Sequence, residues 1–194
     1  GFFLGCGMCS VGIATGGGAG RALAEWIIDG EPSMDLWPVD IRRFVPAQNT
    51  LRTLRERSPE TLALHYAVSF PGRQHQTARN LRLSPLHSRL ENAGAEFAER
   101  MGWERPRWFN PENKPTAPEL SFEKPGWHSL HAEEHRAARE AVVLFDQSTF
   151  GKLLVQGRDA ESVLQRLCAN DISKADRRVV YTAMLNKHGG YESD

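Results

Sequence analysis

Apolar residues recur at helical spacing shortly after the N-terminus, behind a stretch rich in glycine. Residues 2–4 form a short apolar run suited to a buried strand, and two glycine-rich segments, 5–12 and 16–20, follow it. One face of a predicted helix then carries five apolar residues at i, i+3, i+4, i+7 and i+8: Ala19, Ala22, Leu23, Trp26 and Ile27. Gly30 is placed to cap this helix at its C-terminus. The pattern predicts a strand, a glycine loop and a helix.

Between residues 46 and 109 the pattern becomes helical and rich in arginine. An apolar helix face ending at Gly102 is predicted from four residues: Leu90, Ala93, Phe97 and Met101. Residues 65–70 interrupt this region with the alternation of a strand. Five of the 11 prolines lie from Pro106 to Pro125, which indicates a linker on the protein surface.

Helix and strand patterns then follow one another to the C-terminus. A helix is predicted over residues 130–142 and a strand over 152–156. Asp159 is a suitable N-cap for a second helix. The apolar face of that helix has four members: Ala160, Val163, Leu164 and Leu167.

The last residues predict a β-hairpin. Residues 179–185 have the pattern of a strand, 186–190 that of a turn, and a second strand begins at Tyr191. Because the chain stops four residues into that strand, we expect it to be a fragment of a longer protein. Together these elements predict a mixed α+β fold.

Composition and charge narrow the classes of partner. The 194 residues carry 24 basic and 24 acidic side chains and are 40% hydrophobic, which excludes a disordered or low-complexity chain. Zero net charge argues against nucleic-acid and membrane binding, and no apolar run reaches the roughly 18 residues of a membrane span. The basic residues of 46–109 are all arginine. Ion pairs between domains and an anion site both stay open for them.

Cysteine and histidine residues raise the question of a redox or metal site. Cys6 and Cys9 have C-x-x-C spacing, but zinc would need a second such pair, so ordinary packing is favoured. Cys168 lies on an apolar helix face and is expected in the core. Three cysteines make no disulfide framework, and a reducing compartment fits best. Three histidines share a helix face among charged residues, which favours a surface helix, and we expect no bound metal: His128, His131 and His135.

The glycine-rich segment is a candidate ligand contact. Backbone N–H groups and the positive end of the helix dipole meet where the predicted strand passes into the helix. Glycine allows a phosphate or a flavin carbonyl to approach the backbone closely. Close packing of the helix on the strand explains the same pattern, so both interpretations stay open.

Strings in collinear order along nearly the whole chain resemble the sarcosine/dimethylglycine dehydrogenase family. The end of its flavin domain is similar to residues 10–13, 17–20, 23–27 and 35–44. Its central domain is similar to residues 65–71, 79–87 and 102–109. The start of its folate-binding, aminomethyltransferase-like domain is similar to residues 145–152 and 181–194. The resemblance implies an end of a flavin-binding α/β domain over 1–45, a small central domain with its linker over 46–125, and a folate-binding domain from 126 to 194.

The resemblance implies an FAD contact in the glycine-rich segment. Six residues would lie against the N1/C2 carbonyl edge of the flavin ring: Gly7, Met8, Cys9, Ser10, Val11 and Gly12. Negative charge develops at that edge on reduction, and aimed backbone dipoles stabilise it. The dinucleotide fingerprint and the amine-binding residues of the family are not in this chain. We therefore expect the chain alone to be inactive and not to retain FAD.

The resemblance also implies a tetrahydrofolate contact in the hairpin. Asp194 matches an acid that contacts the pterin and assists proton transfer, with Tyr181 and Phe150 as aromatic walls. The turn pairs Leu185 near Tyr191, which brings Tyr181 and Asp194 within ~5–8 Å of each other on adjacent strands. A carboxylate beside an aromatic and partly desolvated would bind its proton more tightly. The alternatives are a solvated strand residue for Asp194 and a core residue for Tyr181.

The implied activity belongs to the intact protein. It would oxidise sarcosine or dimethylglycine at the N-methyl group with FAD and pass the carbon to tetrahydrofolate. The acceptor of the electrons would be an electron-transferring flavoprotein or oxygen, in a bacterial cytoplasm or a mitochondrial matrix. Two other functions stay open: a non-catalytic regulatory homologue, similar to the pyruvate dehydrogenase phosphatase regulatory subunit, and a folate-dependent aminomethyltransferase.

Overall fold

The computed structural model describes residues 1–114, 120–173 and 177–194, which form two compact units, Gly1–Thr149 and Phe150–Asp194. The first unit begins with α1 (Gly12–Asp29), three short 3-10 helices and α2 (Leu51–Leu64). The 3-10 helices are Trp37–Val39, Ile41–Arg43 and Pro46–Asn49. It continues with α3 (His87–Asn92), β1 (Ala95–Arg100), β2 (Trp103–Phe109) and α4 (His128–Glu140). The second unit contains α5 (Ala160–Leu167), β3 (Met184–Leu185) and β4 (Tyr191–Ser193).

The N-terminal helix is confirmed, the strand predicted before it is wrong, and the glycine loop is limited to residues 5–11. α1 ends at Gly30, whose φ of 83° gives the left-handed C-cap. It begins at Gly12, so residues 16–20 are helical, since a helix interior tolerates glycine when the flanking residues favour the helix. Residues 2–4 are irregular and exposed because a strand needs a pairing partner, which the short apolar run does not supply.

The central part of the first unit is a β-hairpin where the apolar spacing predicts a helix. α3 stops at Asn92 because Gly94 turns the chain with a φ of 83°, and Phe97 therefore lies in β1. β1 pairs antiparallel with β2, with a register shift after Glu96 that places Phe97 opposite Pro106. A proline is tolerated in a strand at such an irregularity. Residues 65–70 are a turn and irregular backbone rather than a strand.

The predicted linker starts later than expected. Residues 106–109 belong to β2, so the surface segment begins after Phe109, and residues 115–119 of the predicted linker lie outside the described residues. The helix predicted over residues 130–142 is confirmed as α4.

The core of the first unit lies between the hairpin and α4. Trp108 of β2 is buried and stacks on Trp127 with ring centroids 5.1 Å apart, and Leu130 of α4 is buried as well. His131 bonds the Arg107 carbonyl through Nε2 at 2.8 Å, so its role is to dock α4 on β2. Among the residues that the structure describes, no group of three His, Cys, Asp or Glu is arranged to hold a metal ion.

Arginine pairing in the first unit favours ion pairs over an anion site. The Glu104 side chain is 1% exposed, and Arg79 donates from Nε to Oε1 at 2.9 Å and from Nη2 to Oε2 at 2.5 Å. Burial opposes ionisation of Glu104, but the hydrogen bonds and charge of Arg79 hold its pKa below the usual value. Arg57 donates a single hydrogen bond from Nη2 to Glu99 Oε2 at 2.6 Å. Both pairs lie within the first unit.

The second unit has little buried surface. α5 follows Asp159 as predicted, although the Asp159 carboxylate bonds Arg158 rather than capping the helix. Residues 152–156 and 179–183 are irregular backbone, so the strand predicted over 152–156 is wrong and the one predicted over 179–185 is limited to its end, β3. A strand is stable only when neighbouring strands pair with it. Cys168 is a free thiol that is half-buried rather than in the core, and its backbone forms an isolated antiparallel β-bridge with Met184. None of the helices in the described part of the chain is both long and apolar enough to cross a membrane.

Candidate functional site

The segment from Gly7 to the start of α1 forms a tight turn. The Val11 N–H donates to the Met8 carbonyl at 2.9 Å, and Thr15 donates to the Val11 carbonyl through both its N–H and its hydroxyl. Gly7 and Ser10 have φ values of 74° and 65°, which turn the chain into the helix. Glycine adopts this conformation without strain, whereas serine does so only when its surroundings require it.

The glycines of this region divide between the two interpretations that the sequence leaves open. A Cβ at Gly5 would lie 2.9 Å from Leu23 Cδ1, so Gly5 serves close packing. A Cβ at Gly7 would meet nothing within 4 Å, and the same holds for glycines along α1: Gly16, Gly17, Gly18 and Gly20. Cys6 and Cys9 are exposed free thiols beside this open backbone.

This open segment fits the edge of a flavin ring. The first turn of α1 presents N–H groups and the positive end of a helix dipole, and only Met8 and Gly12 of residues 7–12 are half-buried, the others being exposed. A planar polar group can therefore approach the backbone without meeting a side chain at Gly7. The roles of the six residues toward FAD stay a prediction.

The hairpin of the second unit has the predicted turn, and its register is the predicted one only next to that turn. Leu185 pairs with Tyr191 and Met184 with Ser193, with a register shift between the two pairs. Asn186 organises the turn because its Oδ1 accepts from the N–H groups of His188, at 3.0 Å, and Gly190, at 2.8 Å. The sequence identified the turn but missed Asn186, although asparagine at a turn start is a known signal for such bonds.

Two of the predicted folate residues meet in this hairpin. The Tyr181 hydroxyl donates to Asp194 Oδ2 at 2.9 Å. Asn170, which the sequence missed, holds the backbone there: its Nδ2 donates to the Tyr181 carbonyl at 3.1 Å, and its N–H donates to the Thr182 hydroxyl at 3.0 Å. The expectation that Tyr181 and Asp194 are close neighbours is confirmed, through a side-chain bond rather than a full strand pairing.

Tyr191 is a third polar residue of this cluster. Partial desolvation, the Asp194 carboxylate and the Tyr181 hydroxyl raise the pKa of Tyr191 to about 12. The phenol of Tyr191 is therefore protonated at neutral pH and can donate a hydrogen bond. Phe150 is half exposed at the start of the second unit, and its place in an aromatic wall stays a prediction.

The cluster of Tyr181, Tyr191 and Asp194 fits a pterin chemically. A carboxylate accepts hydrogen bonds from ring and amino N–H groups, and an exposed phenol ring offers a face for stacking. Tyr181 is 77% exposed and Tyr191 61%, so both rings are accessible in this unit.

Comparison with known proteins identifies two domain types in the chain. Residues 29–84 match the family model of the FAD dependent oxidoreductase central domain. Residues 86–194 match that of the GCVT N-terminal domain, which covers more than half of the chain.

Relatives align over the whole chain or nearly so. The mouse mitochondrial sarcosine dehydrogenase is 39% identical over 219 aligned residues, which cover 100% of this chain and 24% of the relative. The 4-methylaminobutanoate oxidase (formaldehyde-forming) of Paenarthrobacter nicotinovorans is 44% identical over 193 residues, 99% of this chain and 23% of the relative. The mouse mitochondrial pyruvate dehydrogenase phosphatase regulatory subunit is 42% identical over 199 residues, 100% of this chain and 23% of the relative.

The chain spans about a quarter of the length of these relatives. Both family models and the dehydrogenase and oxidase relatives agree with the order of domains along the sequence. The chain therefore belongs to the sarcosine/dimethylglycine dehydrogenase family, of which it carries an FAD dependent oxidoreductase central domain and a GCVT N-terminal domain.

Proposed function

We propose that the protein containing this chain oxidises an N-methyl glycine at its methyl group and transfers the carbon to tetrahydrofolate. The single observation that carries this proposal is the presence of an FAD dependent oxidoreductase domain and a GCVT domain in one chain. An amine carbon is hard to oxidise with side chains alone, and FAD supplies the two-electron acceptor when bound. A folate site in the same protein limits hydrolysis of the oxidised carbon by water.

In this proposal the open backbone of residues 7–12 binds the flavin edge. The N–H groups at the start of α1 point to a position where negative charge would be stabilised. Gly7 leaves that approach clear because its missing side chain would have nothing to contact.

In the folate domain, Asp194 would bind the pterin and assist proton transfer at the nitrogen that attacks the one-carbon unit. The bond from Tyr181 supports this role because it holds one carboxylate oxygen at 2.9 Å and leaves the other available. Tyr181 and Phe150 would supply the apolar walls. A carboxylate in hydrogen-bond reach of the reacting nitrogen is the geometry that general acid–base catalysis needs.

The test uses the full-length protein that contains this chain. Purified protein is assayed for oxidation of sarcosine, dimethylglycine and 4-methylaminobutanoate, with and without tetrahydrofolate, and formaldehyde is measured against 5,10-methylenetetrahydrofolate. Asp194→Asn is expected to keep amine oxidation and to lower methylenetetrahydrofolate formation on the order of 100-fold, with formaldehyde released instead.

Asp159→Asn is the matched control, because Asp159 is an exposed carboxylate of the same unit whose side chain pairs with Arg158 at the surface. Unchanged methylenetetrahydrofolate formation in Asp194→Asn would contradict the proposed role of Asp194. Electron transfer to an electron-transferring flavoprotein or to oxygen is decided by the same assay with each acceptor.

A non-catalytic regulatory role is the second candidate. It is favoured by the pyruvate dehydrogenase phosphatase regulatory subunit, which aligns along the whole chain at 42% identity. Full-length protein that retains FAD yet oxidises none of the three amines would support this candidate and overturn the first. The mitochondrial and bacterial relatives fit either a mitochondrial matrix or a bacterial cytoplasm.

A further inference from the structure

The candidate folate residue Tyr181 lies in a segment of irregular backbone that packing does not hold in place. Residues 178–183 form no helix or strand, and the Tyr181 side chain is 77% exposed. Its phenol nevertheless donates to Asp194 Oδ2 at 2.9 Å, although the two residues are 13 positions apart. The backbone of Tyr181 must therefore be held by contacts other than burial.

The residues that follow α5 supply this support through three hydrogen bonds. The Ala169 N–H donates to the Ala183 carbonyl at 2.8 Å. The Asn170 N–H donates to the Thr182 hydroxyl at 3.0 Å, and Asn170 Nδ2 donates to the Tyr181 carbonyl at 3.1 Å. Asn170 makes two of these three bonds, and its side chain is the group that contacts Tyr181.

We infer that Asn170 is a positioning residue for the folate site: it fixes the backbone of Tyr181, so that the phenol is held against the Asp194 carboxylate before a ligand binds. The inference rests on the folate role proposed above for Tyr181 and Asp194. A site whose groups are held in place beforehand loses less conformational freedom when the ligand arrives, and it binds more tightly for that reason. Asn170 thus raises the affinity for folate without contacting it.

The amide of Asn170 suits this role because it accepts and donates at once. Its Oδ1 accepts from the Asp171 N–H at 2.8 Å, which fixes the side chain against its own segment. Its Nδ2 is then directed at the Tyr181 carbonyl. An ionised carboxylate can only accept hydrogen bonds, so aspartate at position 170 would keep the first contact and lose the second.

The segment that carries Asn170 is itself fixed to α5. Gln165 of α5 donates from Nε2 to Asp171 Oδ1 at 2.8 Å, and its Oε1 accepts from the Ile172 N–H at 2.8 Å. These bonds hold the residues directly after Asn170 against the helix. A hydrogen bond from Asn170 therefore ties Tyr181 to a regular element of the second unit.

The experiment is a double-mutant cycle between Asn170 and the side chain of Tyr181. Full-length protein is titrated with 5-formyltetrahydrofolate, a stable reduced folate, in four forms: wild type, Asn170→Asp, Tyr181→Ala and the double variant. Asn170→Asp is expected to raise the dissociation constant about 3- to 10-fold, the range of one hydrogen bond. In the Tyr181→Ala background the same change is expected to have no effect, because no side chain is left to position. Amine oxidation in the absence of folate should stay unchanged.

The outcomes separate the role of Asn170 from the folate site itself. An equal loss of affinity in both backgrounds would mean that Asn170 contacts the ligand or supports the fold, which overturns the inference. A dissociation constant unchanged by Asn170→Asp would mean that the amide donor is not needed, and it also overturns the inference alone. Asp194→Asn is titrated alongside, and unchanged binding in that variant overturns the proposed folate site and this inference with it.

The matched control is Asn92→Asp, which adds the same charge elsewhere. Asn92 is an exposed asparagine at the end of α3 in the first unit. Affinity unchanged in Asn92→Asp supports a local effect, whereas a loss as large as that in Asn170→Asp would assign the effect to the added charge and overturn the inference.

Thr182→Val is the second variant, for the case that Asn170→Asp disturbs the fold. It adds no charge and removes the hydroxyl that accepts from the Asn170 N–H. It is expected to raise the dissociation constant in the same direction, and again not in the Tyr181→Ala background. Altered far-ultraviolet circular dichroism in Asn170→Asp together with unchanged affinity in Thr182→Val would identify a structural role and overturn the inference.

Discussion

The two compact units of the chain hold their polar groups in different ways. The first unit buries Glu104 almost completely and compensates its charge with Arg79. In the second unit none of the described residues is buried, and the bond between Tyr181 and Asp194 lies at the surface. The first unit therefore depends on packing and a desolvated ion pair, whereas the second depends on local hydrogen bonds.

This difference separates stability from the candidate folate site. Substitutions in the first unit are expected to change the free energy of unfolding, and substitutions in the second to change ligand contacts with little effect on unfolding. Tryptophan fluorescence reports on unfolding of the first unit alone, because all five tryptophans lie there: Trp26, Trp37, Trp103, Trp108 and Trp127. Two of the three tyrosines, Tyr181 and Tyr191, lie in the second.

The largest effect is expected from Arg79→Met. The variant keeps the aliphatic stem but leaves Glu104 as an uncompensated buried charge, which costs about 3–5 kcal/mol. Urea unfolding followed by tryptophan fluorescence measures this loss. Because Arg79 holds the pKa of Glu104 low, its removal lets Glu104 take up a proton, so the loss should shrink as the pH falls toward 4.

Arg158→Met is the control for this substitution. Arg158 pairs with Asp159 at 3.4 Å on the surface of the second unit, where an ion pair contributes little. Fluorescence-detected unfolding should not change. A destabilisation by Arg158→Met as large as that by Arg79→Met would contradict the contrast between the units.

A matched pair of leucines gives the next largest difference. Leu130→Ala removes a side chain that is 5% exposed in α4 and is expected to cost about 2–5 kcal/mol. Leu154→Ala removes one that is 81% exposed in the second unit and should change stability by less than about 0.5 kcal/mol. Thermal unfolding of both variants by circular dichroism tests the comparison, and equal shifts in Tm would contradict it.

A smaller, pH-dependent effect is expected from Glu60→Gln. Partial burial opposes ionisation of Glu60, but hydrogen bonds from the Thr77 hydroxyl and from the N–H groups of Gln76 and Thr77 lower its pKa to about 2. A lowered pKa stabilises the fold above the usual value of 4.5 and loses that contribution as the pH falls toward 2.

Glu60→Gln should therefore cost about 1–2 kcal/mol at pH 7 and less at pH 3. Glu56→Gln is its control, since Glu56 pairs with Arg52 on the exposed side of the same helix, α2. Denaturant unfolding at both pH values measures the difference. The same loss of stability at pH 3 and pH 7 would show that the charge of Glu60 does not stabilise its contacts with Gln76 and Thr77.

Local signals in the sequence account for the elements that were predicted correctly. Gly30 ends α1, the apolar spacing marks α4 and α5, and the glycines at 189–190 fix the hairpin register. Each of these signals acts within a few residues of the chain, so no distant contact is needed to interpret it.

Most of the wrong predictions concern strands, whose partners lie far away in the chain. Phe97 has helical spacing to Leu90 and Ala93, but Gly94 breaks the helix: a Cβ there would lie 2.7 Å from the Pro111 backbone. The sequence contains Gly94, yet only the fold shows that it passes close to Pro111. Residues 2–4 and 152–156 have strand composition without a strand partner among the described residues.

The candidate site was predictable where it depended on the turn. Pairing the residues on either side of the turn at 186–190 predicts that Tyr181 lies near Asp194, and in the structure the Tyr181 hydroxyl donates a hydrogen bond to the Asp194 carboxylate. Tyr191 was missed because residues three apart on a regular strand point to opposite faces. The register shift and the end of β4 after Ser193 remove that regularity.

The smallest effect concerns the titration of Tyr191 and involves the second unit alone. Absorbance at 295 nm should show one phenol ionising near pH 12, above the ordinary value of about 10, and this step should be missing in Tyr191→Phe. Since the raised pKa belongs to the folded state, its contribution to stability is complete below pH 10 and is lost as the pH rises toward 12. Asp194→Asn should move the step toward pH 10 because it removes the neighbouring negative charge, while Tyr66→Phe should leave it in place. Three phenols that ionise together near pH 10 in the wild type would contradict the cluster, and a simultaneous change in tryptophan fluorescence would mean that the first unit, not Tyr191, responds to the alkaline pH.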